Sequence, residues 1–453
     1  MTQTTRLFLL AGVAAIGTPA LAEMTRDEVR ATVAEMMSDA ETRSSLLATG
    51  GVAGRDEGGF FLGSADGNFR LNVAGQIQFR YYLNFRDDNA GIDRNGDGVV
   101  DGDDAEDSFE SGFQTRRTKL IFDGHAFDPN LFYKIQAAFD FDGDGSLNLE
   151  DAFVGYKWDN GFQVRWGQFK APFLREELVD DFAQLAADRG LVNSIFSGGR
   201  TQGVELGYNA EDFRAMLAFS DGFRTNNSDF DSPRTATSNG FLNGGESDYA
   251  FTGRAEIKFA GSWEQFKDFT SASGSDFAAL LGVAAHLEGG DNEQSTIFGG
   301  QYNYYAWTAD LSFEGDGWNA YIAGTGGHSD YNNTTLPGSA GAEDIQFNDY
   351  GLVGQFGIMI PNTDWEPFIR YDGIFPDTDE RNLGDGEDMF SVLTFGVNYY
   401  MYGHASRFTA DVLWFIDGVG SNALAGAADT SIGYLTDDDD NEITIRFQWQ
   451  LQF

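Results

Sequence analysis

From Phe69 to Phe85 every second residue is apolar or glycine: Phe69, Leu71, Val73, Gly75, Ile77, Phe79, Tyr81, Leu83 and Phe85. Between them stand Arg70, Asn72, Ala74, Gln76, Gln78, Arg80, Tyr82 and Asn84, so one face is apolar and the other largely polar. A period of two is the mark of an extended strand with two different surroundings. The pattern returns at Leu131 to Phe139, Phe162 to Trp166, Phe213 to Phe219, Phe251 to Phe259, Tyr305 to Phe313 and Phe408 to Trp414. Helical bundles and α/β layers are thereby excluded for most of the chain.

Soluble antiparallel sheets also alternate, so the surroundings of the strands decide. Short turns such as Asp128-Pro129-Asn130 and Asp159-Asn160-Gly161 take turns with long polar segments such as Asp87 to Glu110 and Thr225 to Asp248. Many segments approach the roughly 9 to 11 residues of a tilted membrane strand, with aromatics near their ends. Ile443, Ile445, Phe447, Trp449, Leu451 and Phe453 alternate with polar residues to the carboxyl terminus. That ending resembles the terminal strand signature of bacterial outer-membrane barrels, which implies recognition by the barrel assembly machinery. The expected fold is all-β: a transmembrane antiparallel barrel of about 16 strands, wide enough for an aqueous lumen.

The amino terminus reads as an export signal, with Arg6, an apolar run from Leu7 to Ile16 and a cleavage pattern at Ala20-Leu21-Ala22. Residues 1–22 are expected to be removed. Residues 23–58 read as a periplasmic helical segment and linker, since Thr25 and Glu28 have capping-box spacing and Val29, Val33, Met36 and Ala40 share one helical face. That stripe suits packing on its own chain or a trimeric coiled coil. Residues 59–453 form the barrel, placed in the outer membrane among its lipids.

Seventy-one acidic against 29 basic residues give a net charge of −42, which excludes general affinity for nucleic acid. The chain has no cysteine, which removes disulfides and thiolate chemistry. None of the four histidines, His125, His286, His328 and His404, lies in a nucleophile or metal motif, so no enzyme is expected.

Three blocks go further: Arg116-Arg117-Thr118-Lys119-Leu120, Leu149-Glu150-Asp151-Ala152-Phe153-Val154-Gly155-Tyr156, and Val164-Arg165-Trp166-Gly167-Gln168-Phe169-Lys170-Ala171-Pro172-Phe173. With Leu393 to Tyr400 and the terminal strand, they resemble the phosphate-selective porin O/P family over roughly Phe69 to Phe453. The resemblance implies a homotrimeric porin of 16 strands whose third extracellular loop folds into the lumen. It also implies passive diffusion of small hydrophilic solutes, with arginine and lysine along the passage of phosphate-selective members.

With the apolar positions facing lipid, Arg70, Arg80, Arg117, Lys119, Lys134 and Arg165 point inward, while Lys170 and Arg175 follow at the constriction. These eight are the expected pore-lining residues. Arg189 and Arg200 share the constriction segment with Glu176, Glu177, Asp180, Asp181 and Asp188, a mixture that departs from a purely cationic path. Two readings stand: an anion-selective wall, or cross-strand ion pairs that stiffen the barrel.

Asp93, Asn95, Asp97, Val99, Asp101 and Asp104 occupy the ligand positions of a calcium loop, with Gly98 as the turn glycine. Ca²⁺ binding and a merely solvated acidic loop both fit that spacing, and no cofactor is required. A structural or adhesive barrel with calcium-loaded loops is the alternative function.

Overall fold

The computed structural model describes residues 51–56, 59–86, 108–139, 145–228, 247–292, 300–334, 343–377, 389–417, 432–435 and 441–453. The expected signal, the helix over 25–47 and the calcium loop 93–104 lie outside these residues.

Among the described residues, eighteen antiparallel strands follow one another. They are β1 (Val52–Asp56), β2 (Gly59–Gly63), β3 (Arg70–Phe85), β4 (Phe109–Ala126), β5 (Asp128–Phe139), β6 (Leu147–Lys157), β7 (Phe162–Lys170), β8 (Arg200–Asn209) and β9 (Phe213–Ser220). The series continues with β10 (Tyr249–Ala260), β11 (Ala278–Asn292), β12 (Gly300–Gly315), β13 (Trp318–Thr334), β14 (Glu343–Ile358), β15 (Trp365–Phe375), β16 (Phe390–Tyr400), β17 (Ser406–Phe415) and β18 (Glu442–Gln452). Each strand from β3 onward pairs with its successor, and β18 pairs with β3 from Ile443↔Phe85 to Gln452↔Gln76. Sixteen strands therefore close the barrel, which leaves no open edge to the bilayer. The hairpin β1–β2 lies outside the ring, with β2 continuing along β3 at Phe60↔Val73, just past the point where Phe453 bonds Gly75.

Alternation sends the large apolar residues outward. Trp166, Leu206, Trp307, Ile322 and Trp449 are all exposed on the outer surface. Such a belt would be costly in water and is matched by hydrocarbon. The short connections after β4, β6, β8, β12, β14 and β16 gather at one rim with the carboxyl terminus. The long connections gather at the other rim, so the first rim is periplasmic and the second extracellular.

The inward surface is not uniformly polar, as simple alternation suggested. Over β12 to β17 it carries Tyr304, Ala306, Tyr321, Ala323, Val353, Phe368, Ile374, Phe390, Val392, Leu413 and Phe415. These join Leu185, Leu191, Val192, Ile195 and Phe196 of the β7–β8 connection in one buried core. The hydrophobic core thus sits inside the barrel, where a wall sector and an inserted loop share it.

Candidate functional site

The connection Ala171 to Gly199 enters the lumen directly after β7. Two short helical pieces, α1 (Arg175–Leu178) and α2 (Leu191–Phe196), frame a stretch that is extended apart from a single 3₁₀ turn at Asp181–Ala183. An extended stretch in a barrel interior has no strand partner, so its carbonyls must find donors elsewhere. The wall supplies them: Gln450 donates to Phe182 O at 2.8 Å, Asn398 to Leu185 O at 2.8 Å, Arg370 to Asp188 O at 2.8 Å and Arg80 to Ala187 O at 2.6 Å. Strands β18, β16, β15 and β3 thus hold the loop from different sides.

The loop's carboxylates plug into clusters of wall cations. Asp188 receives Arg80 at 2.8 Å, Arg116 at 2.9 Å and Arg117 at 2.7 Å. Asp181 receives Lys119 at 2.5 Å and Arg117 at 3.0 Å. Burial disfavours both charges, yet Arg116 beside Asp188 and Lys119 beside Asp181 hold their pKa values well below the ordinary 3.8.

Two β-bulges build these clusters. Gln78 pairs with Arg117 and Phe79 with Thr115, so Arg116 is the extra residue of β4. Gln136 pairs with Asp151 and Ala137 with Leu149, so Glu150 is the extra residue of β6. A bulge lets two consecutive side chains face one way. Arg116 and Arg117 both reach Asp188, while Glu150 and Asp151 both reach Arg200, at 3.4 and 2.8 Å. Strict alternation assigns only one of each pair to the lumen, which is why the sequence reading missed Arg116 and Glu150. The signal was present as a parity slip. Phe113 and Leu120 both face outward seven positions apart, and Leu149 and Val154 five apart, although faces repeat only at even spacing.

Two cavities lie beside the loop on the β3–β8 side. The extracellular one, about 580 Å³, is lined by Arg116, Arg117, Lys119, Arg189, Arg200 and Arg224 together with Glu150, Glu177, Asp181 and Asp188. The periplasmic one, about 760 Å³, has Arg70, Lys134 and Lys157 among its lining residues, along with Asp123, Asp180 and Asp181. Asp181 lines both, and the two cavities approach each other where it pairs with Lys119.

Of the eight expected lining residues, Arg117 and Lys119 face the extracellular cavity, and Arg70 and Lys134 the periplasmic one. Lys134 pairs with Asp151 at 2.8 Å, and Arg70 with Asp56 of the hairpin at 2.5 Å. Arg165 pairs with Glu205 at 2.6 Å and lies over the Phe169 ring at 4.3 Å. Lys170 donates to the Glu177 carbonyl at 2.8 Å. Arg80, Arg165, Lys170 and Arg175 border neither cavity. Arg80 is fully buried under the loop. Arg175 donates to Phe266 O at 2.9 Å, with its guanidinium 5.1 Å from the Phe269 ring.

Phe266 and Phe269 belong to the connection between β10 and β11, which turns into the lumen from the periplasmic rim and packs beneath the constriction loop. Phe269 N donates to Ala183 O at 3.3 Å. Trp263, Phe266 and Phe269 stand in one short stretch, an apolar content unusual for a polar turn. Arg224 was also missed. It sits beyond β9 and donates to Ser197 O at 3.0 Å and Ile195 O at 3.1 Å, closing the carboxyl end of α2. Among the described residues no carboxylate lies within ion-pair reach of Arg224, and burial pulls its pKa down to about 10.

Comparison with known proteins places this geometry. The family model for phosphate-selective porins O and P matches residues 89–449. Among solved structures, OmpF of Salmonella typhi in complex with daunomycin superposes with a TM-score of 0.52 at 14% identity, covering 85% of this chain and 98% of that one. The outer membrane channel DcaP of Acinetobacter baumannii gives 0.51 at 15% identity, with the same 85% and 98% coverage. No curated protein matches the chain.

Proposed function

The chain belongs to the phosphate-selective porin O and P family and is an outer-membrane channel, and we propose that it passes small hydrophilic solutes by diffusion with small anions such as phosphate favoured. The observation that carries the preference is the extracellular cavity, where six cations meet four carboxylates and Arg224, among the described residues, bonds only carbonyls. Because Asp188, Asp181 and Glu150 neutralise most of the wall, the preference is modest. Fixed charge around a narrow point selects ions by sign without binding them tightly.

The path runs off-centre, from the extracellular cavity past Lys119 and Asp181 to the periplasmic one. Arg117, Lys119 and Lys134 are its proposed contacts from the wall, with Arg189 and Arg200 beside them. Arg80 and Arg175 serve by holding the loop that narrows it. The proposal includes no catalytic step.

Homotrimer assembly, insertion by the barrel assembly machinery, a cleaved signal over 1–22 and a helix over 25–47 belong to the same proposal. They rest on the family and on the sequence patterns above. Calcium at Asp93, Asn95, Asp97, Val99, Asp101 and Asp104 is proposed on spacing alone, and titration calorimetry with Ca²⁺ tests it.

Planar-bilayer recordings of the refolded protein in a potassium chloride gradient test the channel. Discrete steps with a reversal potential on the anion side, reduced by added phosphate, are expected. A cation-side potential overturns the preference, and an absence of steps points to a structural or adhesive barrel.

A further inference from the structure

The loop brings its own anion into the most positive part of the passage. Glu177 lines the extracellular cavity together with Arg189, Arg200 and Arg224. Its Oε2 lies 3.4 Å from Arg189 Nε and accepts from Asn193 Nδ2 at 3.0 Å. Lys170 is anchored on the carbonyl of the same residue at 2.8 Å, and Arg189 also donates to that carbonyl at 3.3 Å. Arg224 and Arg200 reach the cavity from the β9–β10 connection and the start of β8. Four cations from four parts of the chain therefore gather around Glu177, with Arg189 in ion-pair reach of its carboxylate, Lys170 on its carbonyl, and Arg200 and Arg224 across the same cavity.

We propose that Glu177 is a tethered counter-anion: its carboxylate holds the place among Arg189, Arg200 and Arg224 that a permeating anion would take, and so determines how firmly this channel retains anions. The inference rests on the anion preference proposed above and names the residue that limits it. Glu177 remains charged: burial works against its ionisation, but Arg189 and Lys170 outweigh burial and lower its pKa. Its position is enforced on both sides. The backbone is fixed by Lys170 and Arg189, and the side chain by Asn193. A mobile anion of the same charge would have to displace it or share its cations. The anion is therefore weakly held and free to leave, which suits a diffusion channel better than a binding protein.

Glu177→Gln tests this with little change of shape, because the amide oxygen still accepts from Asn193. Two readouts are needed: reversal potential across a salt gradient, and titration calorimetry of the detergent-solubilised protein with inorganic phosphate. Removing the charge is expected to raise anion-over-cation permeability and phosphate affinity by about fivefold or more. Adding Arg224→Gln to that variant is expected to return both toward the parent values. Parent-like potential and parent-like phosphate affinity in a Glu177→Gln protein that opens with normal steps overturn the proposal. If the parent has no anion preference while Glu177→Gln acquires one, the general preference fails and the tethered anion stands. If neither protein conducts, the calorimetry decides: a gain in phosphate affinity supports the proposal, and equal affinities refute it.

Discussion

The wall from β3 to β8 and the wall from β12 to β17 belong to one barrel and alternate with the same period, but their inward faces do opposite work. On the first side Arg80, Arg116, Arg117 and Lys119 meet the loop through ion pairs, with open cavities beside them. On the second side Tyr321, Val353, Ile374, Phe390 and Leu413 meet it through a packed apolar core. The second side positions the loop by apolar packing joined to buried polar ties from Arg370, Asp372 and Asn398, and the first side faces the solute. Alternation therefore settles which residues face the lumen and says nothing about whether the lumen there is wet.

The largest expected effect comes from breaking the charged contact. Asp188→Ala leaves Arg80, Arg116 and Arg117 around an empty position, and loss of one partner from a buried pair costs about 3 to 5 kcal/mol. Single-channel conductance should rise as the loop loosens, with a lower melting temperature. Unchanged conductance would assign the anchoring to the apolar side alone.

Ile195→Ala probes that other side. It removes a fully buried side chain of α2 at about 2 to 5 kcal/mol, and open-channel noise should increase while ion preference stays the same. A changed reversal potential would contradict the division of labour. Gly351→Val approaches the same contact from the wall. A Cβ at Gly351 would lie 2.9 Å from both Phe196 and Val192, so overpacking of about 1 to 3 kcal/mol is expected. Conductance histograms should then broaden.

Arg116→Gln should lower anion-over-cation permeability by about two- to fivefold, a screened single-charge effect, read as reversal potential. A null result would place Arg116 among the loop anchors only.

The smallest effect is a pH dependence at Glu176. Burial pushes its carboxyl up to about 7, with Arg370 opposing and Asp372 adding to the rise. A raised carboxyl stabilises the folded loop fully below its ordinary 4.5 and loses that contribution as pH climbs through about 7. Asp188 and Asp181 act the other way, losing their contribution only at pH values well below 3.8. Thermal melts between pH 4.5 and 8 should fall with pH, and Glu176→Gln should flatten that slope.

The barrel was readable because lipid outside and a lumen inside impose two environments at a spacing of two residues. Phe69 to Phe85 and Ile443 to Phe453 announce their faces without help, and both take part in the seam that closes the ring. Arg117, Lys119 and Lys134 could be assigned inward by the same rule. Arg116 and Glu150 could not, since a bulge breaks the rule where the charges concentrate. Arg175 and Arg80 were legible as inward and illegible as sealed, because burial within a lumen depends on which loop lies on top.

By itself the sequence determined a strand protein of outer-membrane type, since alternation, turn length and a terminal aromatic strand are local properties of the chain. Only the tertiary structure decided that Tyr321 and Ile374 form a dry core with the loop, while Arg117 and Lys119 border open space. It also decided that Asp181 and Asp188 consume most of the wall's positive charge, leaving Arg224 with carbonyls. Those outcomes depend on residues from 27 to well over a hundred positions apart meeting inside the barrel, and no periodicity along the chain encodes such a distance.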